Sequence, residues 1–247
     1  RQGKEVLVVD ENTDDSVAAY YGVPVRHDLQ QVVHREKSLA EVILSVAPGV
    51  RVLPAAKVVK RLASLSAAEQ RILVDSLGHI GRPADVVLVD ASLDHPLGFS
   101  PLGLAAHDTV IVVSPNGAAI TDAYALIKKV SLGYSRKNFR ILVSKARAAS
   151  DAQAVYDNIA EVAHSRQLAR LDYAGHVPLD ESLRQASRLC QPVAGLFPDA
   201  PSARAYQSLA SALLNWPNGD VDVRGLEHFV QQLLHLSQRL DPTAIYA

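Results

Sequence analysis

Methionine is missing altogether from the 247 residues, cysteine occurs once, and aromatic residues make up only 5%. The single Cys190 excludes an intramolecular disulfide and any cysteine-rich zinc site, and a reducing compartment is the simplest reading. With no activating pattern around it, Cys190 reads as a small packed side chain. No apolar run is long enough to span a bilayer, and no signal peptide is visible. The nine histidines show no metal-binding spacing such as H-E-x-x-H. Formal net charge is -1 with a pI near 6.8, so the chain as a whole is not built to capture nucleic acid by charge. A chain of this length ordinarily carries several methionines. Their absence reads either as a piece of a longer protein or as a sequence in which they are not represented.

A hydrophobic content of 48% supplies an ample core, and 21% charged residues is ordinary. The length suits one large α/β domain, or one domain plus an appendage. Apolar runs at Glu5–Val9, Val50–Leu53, Val86–Val89, Thr109–Val113, Phe139–Val143 and Leu171–Val177 predict strands. Helical spacing falls between them, at Leu39–Leu44, Ser66–Leu77, Ile120–Val130, Asp151–Ala163 and Ser202–Leu214. Ser66 followed by Glu69 has the capping-box pattern. Strands alternating with helices in this way predict a doubly wound, mostly parallel sheet with helices on both faces. The turn sequence Pro217-Asn218-Gly219-Asp220 divides an α/β domain over 1–216 from a linker and C-terminal helix over 217–247.

Two of the strands end in an aspartate, VLVVD at Asp10 and DVVLVD at Asp90. Open α/β sheets bind ligands at that edge. An apolar strand with a terminal carboxylate is the chemical form of a Walker B site, which holds magnesium or its water beside a nucleotide. A lone instance is weak, because many such aspartates simply cap the next helix. Two in one sheet, with a third polar edge at Ser144 and Lys145, strengthen the nucleotide reading. The bland reading of Lys145 is a solvated surface lysine, and that of Asn12 is a turn residue in Asn-Thr-Asp-Asp.

At this point the chain resembles a family. GKEVLVVDEN, SLAEVILSVAPGVRVLPAA, DVVLVDAS, ITDAYALIKKV, FRILVSKAR, GHVPLDESLRQA and the run FPDAPSARAY stand in the order seen in the MinD/ParA-like P-loop ATPases. ITDAYALIK and the tail RGLEHFVQQL are most similar to the FlhG (FleN) branch of flagellar-number regulators. The resemblance implies ATP or ADP with Mg2+ as cofactors. Asp10 and Asp90 would organise the metal through water, and Asp10 and Asn12 would serve catalysis. Asp90, Ser144, Lys145, Pro178, Leu179 and Asp180 would line the nucleotide. It also implies that the strand ending at Asp10 is the family's second, preceded by a strand, a Gly-rich loop with its lysine and a helix. That loop does not occur in the chain.

Three departures on the nucleotide face point to weakened hydrolysis. Asn12 stands where the family has a second aspartate, Ala91-Ser92-Leu93-Asp94 replaces its Thr-Ala-Ala-Gly, and Ser144 replaces an asparagine. A carboxylate can act as a base, whereas an amide can only orient water.

The expectation is therefore a bacterial cytoplasmic homodimer that responds to nucleotide, with slow hydrolysis and protein partners in flagellar assembly or its regulation. The competing expectation is a non-catalytic scaffold that kept the fold. A DNA-partition role is disfavoured by the lack of a basic run, so no nucleic-acid partner is expected. In the tail, Leu226, Phe229, Val230, Leu233 and Leu234 share one helical face. That face is a candidate for a weak, peripheral contact with the inner membrane or for a partner. With Arg224 and Arg239 as the helix's only basic residues apart from histidine, packing on protein is favoured.

Overall fold

The computed structural model describes residues 2–14, 16–78, 80, 84–93 and 100–216, together with 229, 232, 233 and 236. Its strands are β1 (Val6–Asp10), β2 (Leu44–Ala47), β3 (Val50–Pro54), β4 (Val86–Asp90), β5 (Val110–Val113), β6 (Asn138–Ala146) and β7 (Arg170–Pro178). They form two sheets, of order β2-β3-β1-β4 and β5-β6-β7. Every pairing is parallel except that of β2 with β3. The architecture is α/β, with a mostly parallel sheet and helices on both sides. The chain divides into two compact units, one of residues 1–107 and 220–247, the other of 108–219.

In the first unit the two-residue period of a strand sends alternate side chains of β1 into different cores. Leu7 and Val9 join Leu53 and the apolar faces of helices Leu29–Val33, Ala67–Gly78 and Pro101–Ala105. Val8 and Val52 pack with Ala18 of helix Val17–Tyr20 on the other face. A side chain such as Leu7, with none of its surface exposed, contributes roughly 1.5–3 kcal/mol by leaving water. The Ser66–Glu69 box forms: the Ser66 N–H donates to Glu69 Oε2 at 2.8 Å and the Glu69 N–H to Ser66 Oγ at 3.3 Å.

One element differs from expectation. The helix predicted over Leu39–Leu44 stops at Val42, and Leu44 opens β2, an antiparallel strand beside β3. Pro48-Gly49 makes the reversal, with Gly49 at φ 72°. A Cβ there would sit 3.1 Å from the Lys4 carbonyl oxygen, so the turn needs glycine on both counts. The local pairing outweighs the helical spacing of the preceding residues.

The tail also reaches this unit. Phe229 and Leu233 are helical and buried in the same core as Leu7 and Leu53. Leu226, Val230, Leu234, Asp94 and the turn at 217–220 lie outside the described residues.

In the second unit, helix Gly117–Tyr134 packs on β5, helix Ala149–Ser165 on β6 and β7, and helix Pro201–Leu214 on β7. The first of these is capped by Asn116, whose side chain accepts the Ala119 N–H at 2.9 Å. It ends on Ser135 at φ 55°, a left-handed stop. Cys190 is exposed at φ 51°, contrary to the packed side chain expected, because it lies just past helix Glu181–Arg188 in the turn that ends it.

Candidate functional site: paired acidic strand ends

Parallel pairing of β1 with β4 puts Asp10 directly opposite Asp90. Their side chains differ in situation. Asp10 is buried, and each carboxylate oxygen accepts a backbone N–H: Asn12 on Oδ1 at 3.0 Å and Val17 on Oδ2 at 2.6 Å. It thereby holds the loop after β1 and the start of helix Val17–Tyr20. Asp90 is exposed at its strand end, and its carboxyl is raised above the ordinary carboxylate range by partial desolvation and by the charge of Asp10. The Asn12 side-chain amide donates to the Asp90 carbonyl at 3.2 Å.

Glu11, which carried no role in the sequence reading, completes this edge. Only 3% exposed, it accepts the Ser92 N–H on Oε2 at 2.9 Å and the Ser100 hydroxyl on Oε1. Burial, together with Asp90 and Asp10, pushes its carboxyl up to about 7, against the opposing pull of those two hydrogen bonds. Three carboxyl groups thus crowd one sheet edge. The only sequence signal was the unusual Asp-Glu pair closing an apolar strand.

Among the described residues, no group of three or more His, Cys, Asp or Glu could hold a metal by itself. Magnesium suits such an edge all the same, since it keeps several waters and takes one or two carboxylates plus substrate phosphates. Asp90 fits that role: its carboxylate is exposed and stands in a field of like charge that a cation would relieve. Asp10 fits less directly, because a lone pair on each oxygen already holds the backbone.

The remaining expected residues gather at the strand ends of the second unit. Ser144 pairs with Val177 and Ala146 with Pro178, and the Leu179 N–H donates to the Ala146 carbonyl at 2.8 Å. Lys145, between them, bulges out exposed with φ 62°. Leu179 is exposed too. Asp180 caps helix Glu181–Arg188 through Ser182 N at 2.9 Å, and accepts both Ser202 N at 2.9 Å and Ser202 Oγ at 2.7 Å. These donors hold its carboxyl below the usual range. Its side chain thus ties helix Pro201–Leu214 to the loop.

This mostly parallel α/β fold is one that the chain shares with solved proteins of the MinD and ParA kind. The MinD protein of Pyrococcus horikoshii, solved with Mg-ADP, superposes with a TM-score of 0.61 at 18% identity, covering 89% of this chain and 88% of that one. In sequence, the chain is similar to the antiactivator FleN of Pseudomonas aeruginosa, 28% identical over 236 residues, or 94% of this chain and 83% of FleN. It is also similar to the flagellum site-determining protein YlxH of Helicobacter pylori, 23% identical over 221 residues, or 87% and 74% of the two. No family model matches it. No helix among the described residues is long and apolar enough to cross a membrane.

Proposed function

We propose that the protein is a regulator of flagellar number or placement that binds Mg·ATP and Mg·ADP at the Asp10–Asp90 edge. The observation that carries this is the likeness to FleN along 94% of the chain, joined to a fold that sets those two aspartates side by side. Asp90 would hold magnesium through water, and Asp10 would fix the loop that carries Asn12. The protein acts as a nucleotide-responsive homodimer in the cytoplasm, with partners in flagellar assembly or its regulation.

Hydrolysis is weak. Asn12 can orient a water but cannot take its proton, and general-base assistance is worth about 10²–10⁴-fold. In the full-length protein, Asn12→Asp should raise phosphate release with little change in affinity by isothermal titration. A wild type that already turns over as fast as the variant removes Asn12 as the limiting defect.

One observation favours a second reading, a scaffold that kept the fold without the chemistry. Both oxygens of Asp10 and the side-chain amide of Asn12 are engaged with backbone groups. Absence of Mg·ATP binding by the full-length protein would select it.

A further inference from the structure

Side chains alternate across β1, so Glu11 follows Leu7 and Val9 inward while Asp10 faces the other way. Its carboxylate therefore ends up beneath the chain that leaves β4. One oxygen takes the N–H of Ser92, two residues beyond Asp90; the other takes the hydroxyl of Ser100. Ser100, wholly buried, accepts the Gly103 N–H at 2.9 Å and so caps helix Pro101–Ala105. The Glu11 N–H completes the tie by donating to the Asp90 carbonyl at 3.2 Å. A single side chain thus joins the end of β1 to a point just past Asp90 and to the first turn of the next helix.

We propose that Glu11 is a positioning residue: its carboxylate fixes Ser92 and the Ser100 cap against β1, presetting the backbone course that sets Asp90 opposite Asp10. The consequence for ligand binding rests on the nucleotide reading above, whereas the positioning itself does not. A site whose supporting groups are locked in advance loses less on binding, and small displacements of such groups are costly.

Glutamine at position 11 can still accept from Ser92 N and donate to Ser100 Oγ, while alanine can do neither. Native-state hydrogen exchange on wild type, Glu11→Gln and Glu11→Ala reads the tie directly. In Glu11→Ala the Ser92 amide should exchange at least about tenfold faster, with Glu11→Gln close to wild type. The Lys57 amide, which bonds Asp28, should stay unchanged and report that the unit is folded. Ser100→Ala serves if Glu11→Ala does not fold: Gly103 should lose protection while Ser92 keeps it. Equal Ser92 protection in wild type and Glu11→Ala overturns the proposal. So does a Ser92 loss matched at Lys57, which would mean general loosening, or a Glu11→Gln variant no better protected than Glu11→Ala.

Titrating full-length protein with Mg·ATP adds the functional arm, with about tenfold weaker binding in Glu11→Ala and recovery in Glu11→Gln. Unchanged affinity alongside lost Ser92 protection would overturn the consequence for ligand binding and leave Glu11 a structural tie. A wild type that binds no Mg·ATP sinks the nucleotide reading instead, and exchange alone then decides the role of Glu11.

Discussion

Replacing Glu11 by glutamine should make the protein more stable at pH 8 and leave it nearly unchanged near pH 4.5. The carboxyl is raised from an ordinary 4.5 to about 7, first by burial and then by Asp90 and Asp10. A proton therefore binds the folded state more tightly than the unfolded chain. Stability tied to this group is fully present below pH 4.5 and is lost as pH rises through about 7. At about 1.4 kcal/mol per tenfold change in proton affinity, ionisation in place costs up to about 3 kcal/mol. That figure is a ceiling, since a bound cation or local opening would reduce it. Glutamine mimics the protonated acid at all pH values, so the variant-minus-wild-type difference should climb from near zero to roughly 2–3 kcal/mol across this window. Urea unfolding of both proteins at several pH values between 4.5 and 8 measures it, and pH effects common to both cancel. A difference that stays flat, or that falls with pH, would refute the burial argument. The carboxylate would then be better solvated or better paired than its surroundings imply.

Three further outcomes follow from the packing. Asp28 accepts the N–H groups of Gln30 at 3.0 Å, Lys57 at 3.0 Å and Val58 at 3.3 Å, joining the starts of two helices. Asp28→Ala orphans these donors in a buried place and should cost about 2–4 kcal/mol, with Asp28→Asn costing less; chemical denaturation would show it. Arg140 lies 4.1 Å from the ring centre of Trp216 while paired with Asp108 at 3.0 Å. Because Trp216 is the only tryptophan, Arg140→Ala should change its fluorescence and red-shift the emission; an unaltered spectrum would mean the ring is held by other contacts. Ending the chain at Trp216 removes Phe229 and Leu233 from the core and should cost roughly 3–6 kcal/mol. Flotation with anionic liposomes should show little binding before or after that truncation, and strong binding that the truncation abolishes would assign the tail to the membrane instead.

Local pattern determined much of this protein. Apolar runs closed by aspartate announced β1 and β4, and parallel pairing of two such runs leaves the carboxylates at one edge. The Ser66–Glu69 box and the amphipathic spacing of helices Gly117–Tyr134 and Ala149–Ser165 were legible because their partners lie within a turn or two of chain. Only the tertiary structure decided what the acidic groups do. Asp10 is bound by its own loop, and Asp180 became a tie between helices through Ser202, 22 residues away. Glu11 met Ser92 and Ser100 across 81 and 89 residues. Side-chain direction alternates along a strand, so adjacent Asp10 and Glu11 enter opposite faces and acquire unrelated partners. Periodicity marks the faces of each element, but what waits on those faces is fixed when distant segments pack.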